Sequence, residues 1–485
     1  MIPFQKTDAD FAAALANLSQ INASDQPDVI KEEPQLNLDR FHMIGESGKP
    51  SGVFDAEVMR FIIGTVPMFV LGRVPYIYDA GVYRRDDSGT KLKSLIGKCL
   101  YRQYIKASVI KRIYELIVTA QELQVTEEDI NLYPAHWVNF QNGFFDPKTS
   151  ELIPHDPKYR AINQLASSYD PQAKTVGPEL EEWLSFITEA SDEREMLLEY
   201  CGYCMTRDTQ MQKFLILHGR GGTGKSVLIR LLELAIGKEN VSNTSLKDLT
   251  NNRFAAACLV GKLLNSCSDL EMSVLQDTAA LKRIVGEDTL RAEAKGKDAV
   301  FFHSNAKLLF STNRLPDIQR DPGNGFFRRL LLHPMNRQPE KPKSDLLEVL
   351  AAELPHFIHL CMQALSRMYE RGHIQESQQS KHMVEEMRKD ADTVYAFLRD
   401  RTDHIHEART ERSTLYPAYT AYCYEMERKA LGRNTFFKEV GARIGEPLAS
   451  NGIRFFPDRA LKNAPVDAGL LPIIDASPVA GAYMQ

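Results

Sequence analysis

An α/β protein is predicted for this chain, and three observations predict it. Short apolar runs, Phe214 to Leu217, Leu259 to Leu264 and Lys307 to Phe310, alternate with helical patterns between Lys213 and Arg337, the rhythm of a sheet covered by helices. A glycine-rich turn stands between the first run and the apolar-periodic Val227 to Ile236. The composition is that of a globular protein, with 43% hydrophobic and 25% charged residues, and a length of 485 residues suits about three domains.

The elements follow in order. Residues 1–45 read as a flexible arm: they are polar, with one short helix at Phe11 to Leu18 and turns at Asp25-Gln-Pro-Asp28 and Lys31-Glu-Glu-Pro34. Asp8-Ala-Asp10 has no apolar strand leading into it, so it reads as a helix start and no primase activity is expected of it. Residues 46–175 read as an α+β module with strands at Tyr76 to Tyr78 and Val82-Tyr83, a helix at Ala107 to Ile117, and a hairpin-rich stretch from 136 to 171. Helices at Pro178 to Ala190 and Glu193 to Met205 open the α/β segment, 176–345. Residues 346–390 read as a helical linker, 391–463 as a compact helical unit, and 464–485 as a flexible tail.

Composition excludes some classes. The longest apolar stretch, Phe61 to Gly72, is too short to span a membrane and is broken by Gly64 and Pro67. The first residues carry early acids and lack a secretion-signal plan, so a cytoplasmic location is expected. A formal net charge of −5 excludes a uniformly basic nucleic-acid coat and leaves only local patches for that purpose. The seven cysteines are scattered; Cys201 and Cys204 alone have ligand spacing, lack a second pair, and read as two thiols on a core helix.

The chemistry begins at Gly219-Arg-Gly-Gly-Thr-Gly-Lys-Ser226, the full G-x-x-x-x-G-K-[ST] pattern in its required setting of strand, loop and helix. Gly219, Gly221, Gly222, Thr223 and Gly224 would let backbone N–H groups cradle phosphates, Lys225 would reach the outer phosphates, and the Ser226 hydroxyl would hold Mg²⁺. The second apolar run leads to Asp269 and Glu271, carboxylates of the kind that Mg²⁺ and an attacking water need. The third ends at Asn313, an amide able to orient that water, and Arg328 and Arg329 follow two phenylalanines, where a guanidinium can stabilise charge on a phosphate. Two extended runs around Lys295-Gly-Lys297 read as a hairpin with a basic tip, able to grip phosphates.

Taken together, the order of these motifs, with Leu281 to Asp288 between the second run and the hairpin, FSTNRLP at 310–316 and GFFRRL at 325–330, resembles the superfamily 3 helicases, and within them the phage and plasmid primase-helicase family related to poxvirus primase-helicases. The resemblance implies a P-loop AAA+-like core, ATP and Mg²⁺ as cofactors, Ser226 and Asp269 as metal ligands, Asp269 as the Walker B carboxylate and Asn313 as sensor 1. It also implies an arginine finger from Arg328 or Arg329 reaching a neighbouring subunit of a ring, usually a hexamer, and Lys295 and Lys297 drawing single-stranded DNA through the channel. Many relatives have two adjacent acids where Ser268 precedes Asp269 here, so the general base stays open between Asp269 and Glu271. The C-terminal unit resembles the family's winged-helix domain, with Phe436, Val440 and Ile444 on an apolar face, Arg433, Lys438 and Arg443 as DNA contacts, and Gly452 to Phe456 as the wing.

The implied function is an ATP-dependent DNA helicase of 3′ to 5′ polarity, acting on single-stranded and forked DNA in a bacterial host during replication of a phage, prophage or mobile element, beside a separate primase and polymerase. Two alternatives stay open: a replication initiator that binds DNA and hydrolyses ATP without processive unwinding, and a P-loop NTPase with no role on DNA.

Overall fold

The computed structural model describes residues 36–46, 48–252, 254–268, 279–286, 288–292, 300–315, 324–341 and 343–462. The arm and tail expected at the ends, apart from residues 36–45, lie outside them, as do Asp269, Glu271, Lys295 and Lys297. Two compact units divide the chain, one running to Pro316 and resuming over Arg328–Lys381, the other taking in Asp317–Phe327 and the chain from His382.

In the first unit, helix α1 (Asp55–Thr65) precedes strands β1 (Met68–Leu71), β2 (Val74–Asp79) and β3 (Val82–Arg85). Helices α2 (Thr90–Lys98) and α3 (Ala107–Val118) follow, then the short β4 (Gln124–Val125), giving a sheet of order β3-β2-β1-β4. Val109, Ile113 and Ile117 recur at helical spacing on α3 and are buried with Val58 and Ile62 of α1, so these helices share one apolar core. A three-stranded antiparallel sheet then forms from β5 (Val138–Phe140), β6 (Gly143–Asp146) and β7 (Glu151–Ile153), in the stretch expected to be rich in hairpins.

The expected helices appear as α4 (Pro178–Ile187) and α5 (Ser191–Cys204). Strand β8 (Phe214–His218), helix α6 (Lys225–Ile236) and strands β9 (Val241–Ser242) and β10 (Leu264–Cys267) follow. The pair β11 (Thr289–Ala292) and β12 (Val300–His303) is antiparallel, as the hairpin expectation requires, and its tip lies outside the described residues. Strands β13 (Lys307–Thr312) and β14 (Leu330–Pro334) complete a five-stranded parallel sheet of order β9-β10-β13-β8-β14. β13 and β14 are buried along their whole length, the signature of parallel strands covered on both faces.

Three expectations need correction. The second strand is not Leu259 to Leu264: Ala255–Leu259 forms 3₁₀ turns, and the strand begins at Leu264 and runs through Asn265 and Ser266. Those polar side chains tolerate burial because each has partners: the Asn265 amide accepts from Thr244 N at 2.9 Å and donates to its carbonyl at 3.0 Å, and Ser266 donates to Glu233 at 2.5 Å. Second, the linker expected over 346–390 starts as core. Helix α7 (Leu354–Arg371) buries Phe357, Ile358, Cys361, Met362 and Leu365 against α5 and the central sheet, in the same cluster as Phe140 and Leu217. α7 lies so close to α5 that a Cβ on Gly202 would stand 2.6 Å from the Cys361 carbonyl oxygen. Cys201 and Cys204 are buried on α5, as read.

The third correction concerns the second unit, expected to be helical with one wing. It contains helix α8 (Thr393–Arg401), strand β15 (Thr402–Glu411), helices α9 (Arg412–Glu425) and α10 (Arg433–Ile444), and strands β16 (Leu448–Ser450) and β17 (Ile453–Leu461). β17 is central to a three-stranded antiparallel sheet of order β15-β17-β16, and β15, polar and interrupted between His404 and Arg409, is the unforeseen strand. Phe436 and Val440 of α10 are buried with Phe397, Tyr419 and Phe456.

Candidate nucleotide site

The glycine loop leaves β8 at the carboxyl edge of the parallel sheet, where ligands of such sheets collect. Its root is fixed on both sides: Gly219 N donates to the Thr312 carbonyl of β13 at 3.1 Å, and Met335 N, just past β14, donates to the His218 carbonyl at 2.7 Å. Residue 219 must be glycine because a Cβ there would collide with the Met335 carbonyl oxygen. Gly222 (φ 79°) and Gly224 (φ 94°) hold left-handed backbone that costs any L side chain about 1–2 kcal/mol. Gly224 is the N-cap of α6 and offers no side-chain cap, so the first N–H groups of a 12-residue helix point out of the loop, an arrangement that attracts anions.

Lys225, buried to 8% exposure, reaches back across this loop. Its ammonium donates to the carbonyls of Gly219 (2.7 Å) and Arg220 (2.8 Å) and to the side-chain oxygen of Asn313 (3.1 Å). Thr223, also buried, donates to the Arg220 carbonyl at 3.1 Å and braces the turn. Ser226 follows in the first turn of α6 with its side chain exposed, and Gly221 borders open space. Burial, and then the charge of Lys225, pushes the imidazole of His218 below its ordinary range.

Two residues that sequence reasoning missed shape the loop. The Gln338 amide donates to the Gly221 carbonyl at 2.7 Å, and the indole of Trp183 on α4 lies against Gly224. Neither carries a local motif; only tertiary packing brings them in. The neighbouring strand, β10, is tied to this edge because Ser311 of β13 donates to the Ser268 carbonyl.

Arg328 and Arg329 stand elsewhere. They precede β14, whose register with β8 pairs Phe214 with Leu330 and His218 with Pro334. The arginines therefore occupy the amino edge of the sheet and the glycine loop the carboxyl edge, about 13 Å away at strand rise. Both guanidiniums donate to Gln212, at 3.4 and 3.2 Å, and Lys213 donates to the Arg328 carbonyl. Burial and the charge of Arg328 lower the pKa of Arg329, against an opposing pull from Asp288.

In the second unit, Arg433 and Lys438 of α10 are exposed. Arg443 is not: its guanidinium pairs with Asp392 and with Glu439, both at 2.6 Å, and only 18% of its side chain is open. A cleft of about 870 Å³ also lies in the first unit, between β2–β3 and the base of the β11–β12 hairpin, lined by Arg84, Lys262, Phe301 and His303; the glycine loop is not part of it. Among the described residues there is no His/Cys/Asp/Glu group able to hold a metal, and no helix long and apolar enough to cross a membrane.

Comparison with known proteins gives four findings. Residues 84–191 match a family described as D5 N terminal like, and residues 217–329 match a family of unknown function, DUF5906. A protein of Acanthamoeba polyphaga mimivirus named "Putative helicase L207/L206" is 25% identical over 247 residues, 49% of this chain and 25% of that protein, so the chain spans about a quarter of this relative's length. Solved structures of the NrS-1 C-terminal region are similar at 12% identity, with TM-scores of 0.48 and 0.46, covering 83% of this chain and 98% of theirs. The chain thus has a D5 N terminal like segment and a distant relative named "Putative helicase L207/L206", and its glycine loop and Asn313 fall inside the second of the two family matches.

Proposed function

We propose that this chain is an ATP-hydrolysing DNA helicase of the superfamily 3 type, built on a P-loop core and closed by a winged helix, that works as a ring, usually six-membered, on single-stranded and forked DNA. The observation that carries the reading is the contact of Lys225 with Asn313 across the glycine loop, which brings a phosphate-binding cation and a water-orienting amide to one sheet edge. The distant similarity to the viral protein named "Putative helicase L207/L206" supports the same class.

In this reading the loop N–H groups and the α6 terminus bind the phosphates of ATP, and Lys225 exchanges its loop carbonyls for the outer phosphate oxygens. Ser226 and Asp269 would hold Mg²⁺, which supplies charge neutralisation at the transferring phosphoryl group. Asn313 orients the attacking water, and Asp269 or Glu271 accepts its proton. Arg328 and Arg329, a strand's length from the loop of their own chain, suit the site of a neighbouring subunit, where one of them stabilises the transition state. The β11–β12 hairpin carries Lys295 and Lys297 against the strand being drawn, with 3′ to 5′ polarity. Replication of a phage, prophage or mobile element in a bacterial cytoplasm, beside a separate primase and polymerase, is the setting proposed.

Strand displacement on forks bearing only a 3′ or only a 5′ tail tests this, with Lys225→Ala as the blank. ATP-dependent unwinding from the 3′ tail, absent in the blank, is expected. DNA-stimulated ATPase without unwinding would point instead to an initiator, and ATPase indifferent to DNA would point to an NTPase of another kind.

A further inference from the structure

Trp183 of α4 is buried to 5% exposure, and its indole N–H makes no hydrogen bond among the described residues. Its Nε1 stands 3.3 Å from the point that a Cβ on Gly224 would occupy, with the Met335 methyl at 3.5 Å and Ile187 Cγ2 at 3.7 Å from the same point. The donor therefore sits in an otherwise apolar wall, at the N-cap of α6. A buried indole ordinarily finds an acceptor, and an N–H left without one lowers stability where a phenylalanine ring would not.

The helix that carries the ring is clamped at both ends. Glu353 accepts from Leu180 N at 2.7 Å near the start of α4, and His333 donates to the Ile187 carbonyl at 3.0 Å at its end. Between them Glu181 pairs with Arg194 at 2.5 Å and with His356 at 3.1 Å. The indole is thus in place before any ligand arrives, and binding need not order it. Its partner must be an acceptor, because an indole only donates. The side chains of Ile187 and Met335 supply no oxygen, whereas the uncapped N–H groups in the first turn of α6 draw an anion to this same residue. Gly221 and Gly222 border open space, so the anion can enter from solvent.

We propose that Trp183 donates its indole N–H to a phosphate oxygen of the nucleotide held by the glycine loop, as a neutral, pre-placed donor that works beside Lys225. The proposal rests on the nucleotide reading above and adds to it a residue from outside the loop motif. The bond is made in the bound substrate and in the transition state alike, so it sets affinity and leaves the rate of the chemical step alone.

Calorimetric titration of the full chain with ADP and with inorganic tripolyphosphate, each with Mg²⁺, tests it. Trp183→Phe keeps a ring in the wall and removes the N–H; a melting curve checks folding. Kd for both ligands should rise about tenfold, the loss of one hydrogen bond to a charged group, with kcat at saturating ATP unchanged. Unchanged Kd values in the folded variant would overturn the proposal. So would a rise for ADP alone, which would put the N–H on the base or ribose. A second measurement leaves Trp183 itself intact. The chain has two tryptophans, so Trp137→Phe makes Trp183 the sole indole emitter. Its emission should shift as tripolyphosphate is added and saturate with the calorimetric Kd; a spectrum unmoved at saturation counts against the contact. Failure of the nucleotide reading looks different, since the unaltered chain would then bind neither ligand and the proposal would fall with it, whereas failure of the proposal alone leaves that binding intact.

Discussion

Lys225 and Asn313 are 88 residues apart in sequence and 3.1 Å apart in space, so the amide is placed by the lysine as much as by its own strand. Asn313→Ala removes that partner and, in the proposed mechanism, the water-orienting group, while the loop N–H groups proposed to bind nucleotide stay. The expected outcome is a kcat for ATP hydrolysis lower by about 10²-fold with little change in KM, read from steady-state kinetics. A second residue reports on stability. His333, fully buried on β14, donates from Nε2 to the Ile187 carbonyl at 3.0 Å, and no acceptor stands at its buried Nδ1 among the described residues, so the ring is neutral. Burial lowers its pKa to about 4. The folded value is below the unfolded one, near 6.5, so the unfolded chain takes up the proton first. Stability is then complete above about pH 6.5 and is lost as pH falls toward 4, by about 3 kcal/mol over the whole interval. Denaturant melts at pH 7, 6 and 5 should show this slope, and His333→Gln should flatten it.

At the scale of elements, the strand–loop–helix unit of β8, the glycine loop and α6 was legible because every level agrees: a continuous apolar strand, glycines where the backbone is left-handed, and an apolar helix face after them. Gly224 is the sharpest point of that agreement. Gly224→Ala should lower the unfolding free energy by about 1–2 kcal/mol in urea titrations and weaken nucleotide binding with it, since α6 begins there. β10 was misplaced for the opposite reason. Asn265 and Ser266 look like loop residues and are strand residues only because Thr244 and Glu233 satisfy them. β15 was invisible: it is polar along most of its length, and what defines it is pairing with β17 some 50 residues later. Local pattern reports burial well and long-range partners poorly. Trp183 and Gln338 at the loop were missed on the same account, as was the ion pair that takes Arg443 into the interior of its unit.

At the scale of the whole molecule, the order of motifs pointed to helicases, in line with the distant relative named "Putative helicase L207/L206", and the placement of the arginines adds what order cannot. A parallel sheet has two unlike edges, and this chain puts its glycine loop on one and Arg328 and Arg329 on the other. Mixing Arg329→Ala protomers with Lys225→Ala protomers should therefore restore part of the ATPase that each lacks alone, and no recovery at any ratio would count against a shared site. The same asymmetry has a consequence for the chain on its own. On the proposed reading a lone molecule holds half of each of two engines and a whole one of neither, so turnover per molecule should be a property of crowding: nearly silent in dilute solution, rising with assembly, and switched on wherever DNA gathers the copies together.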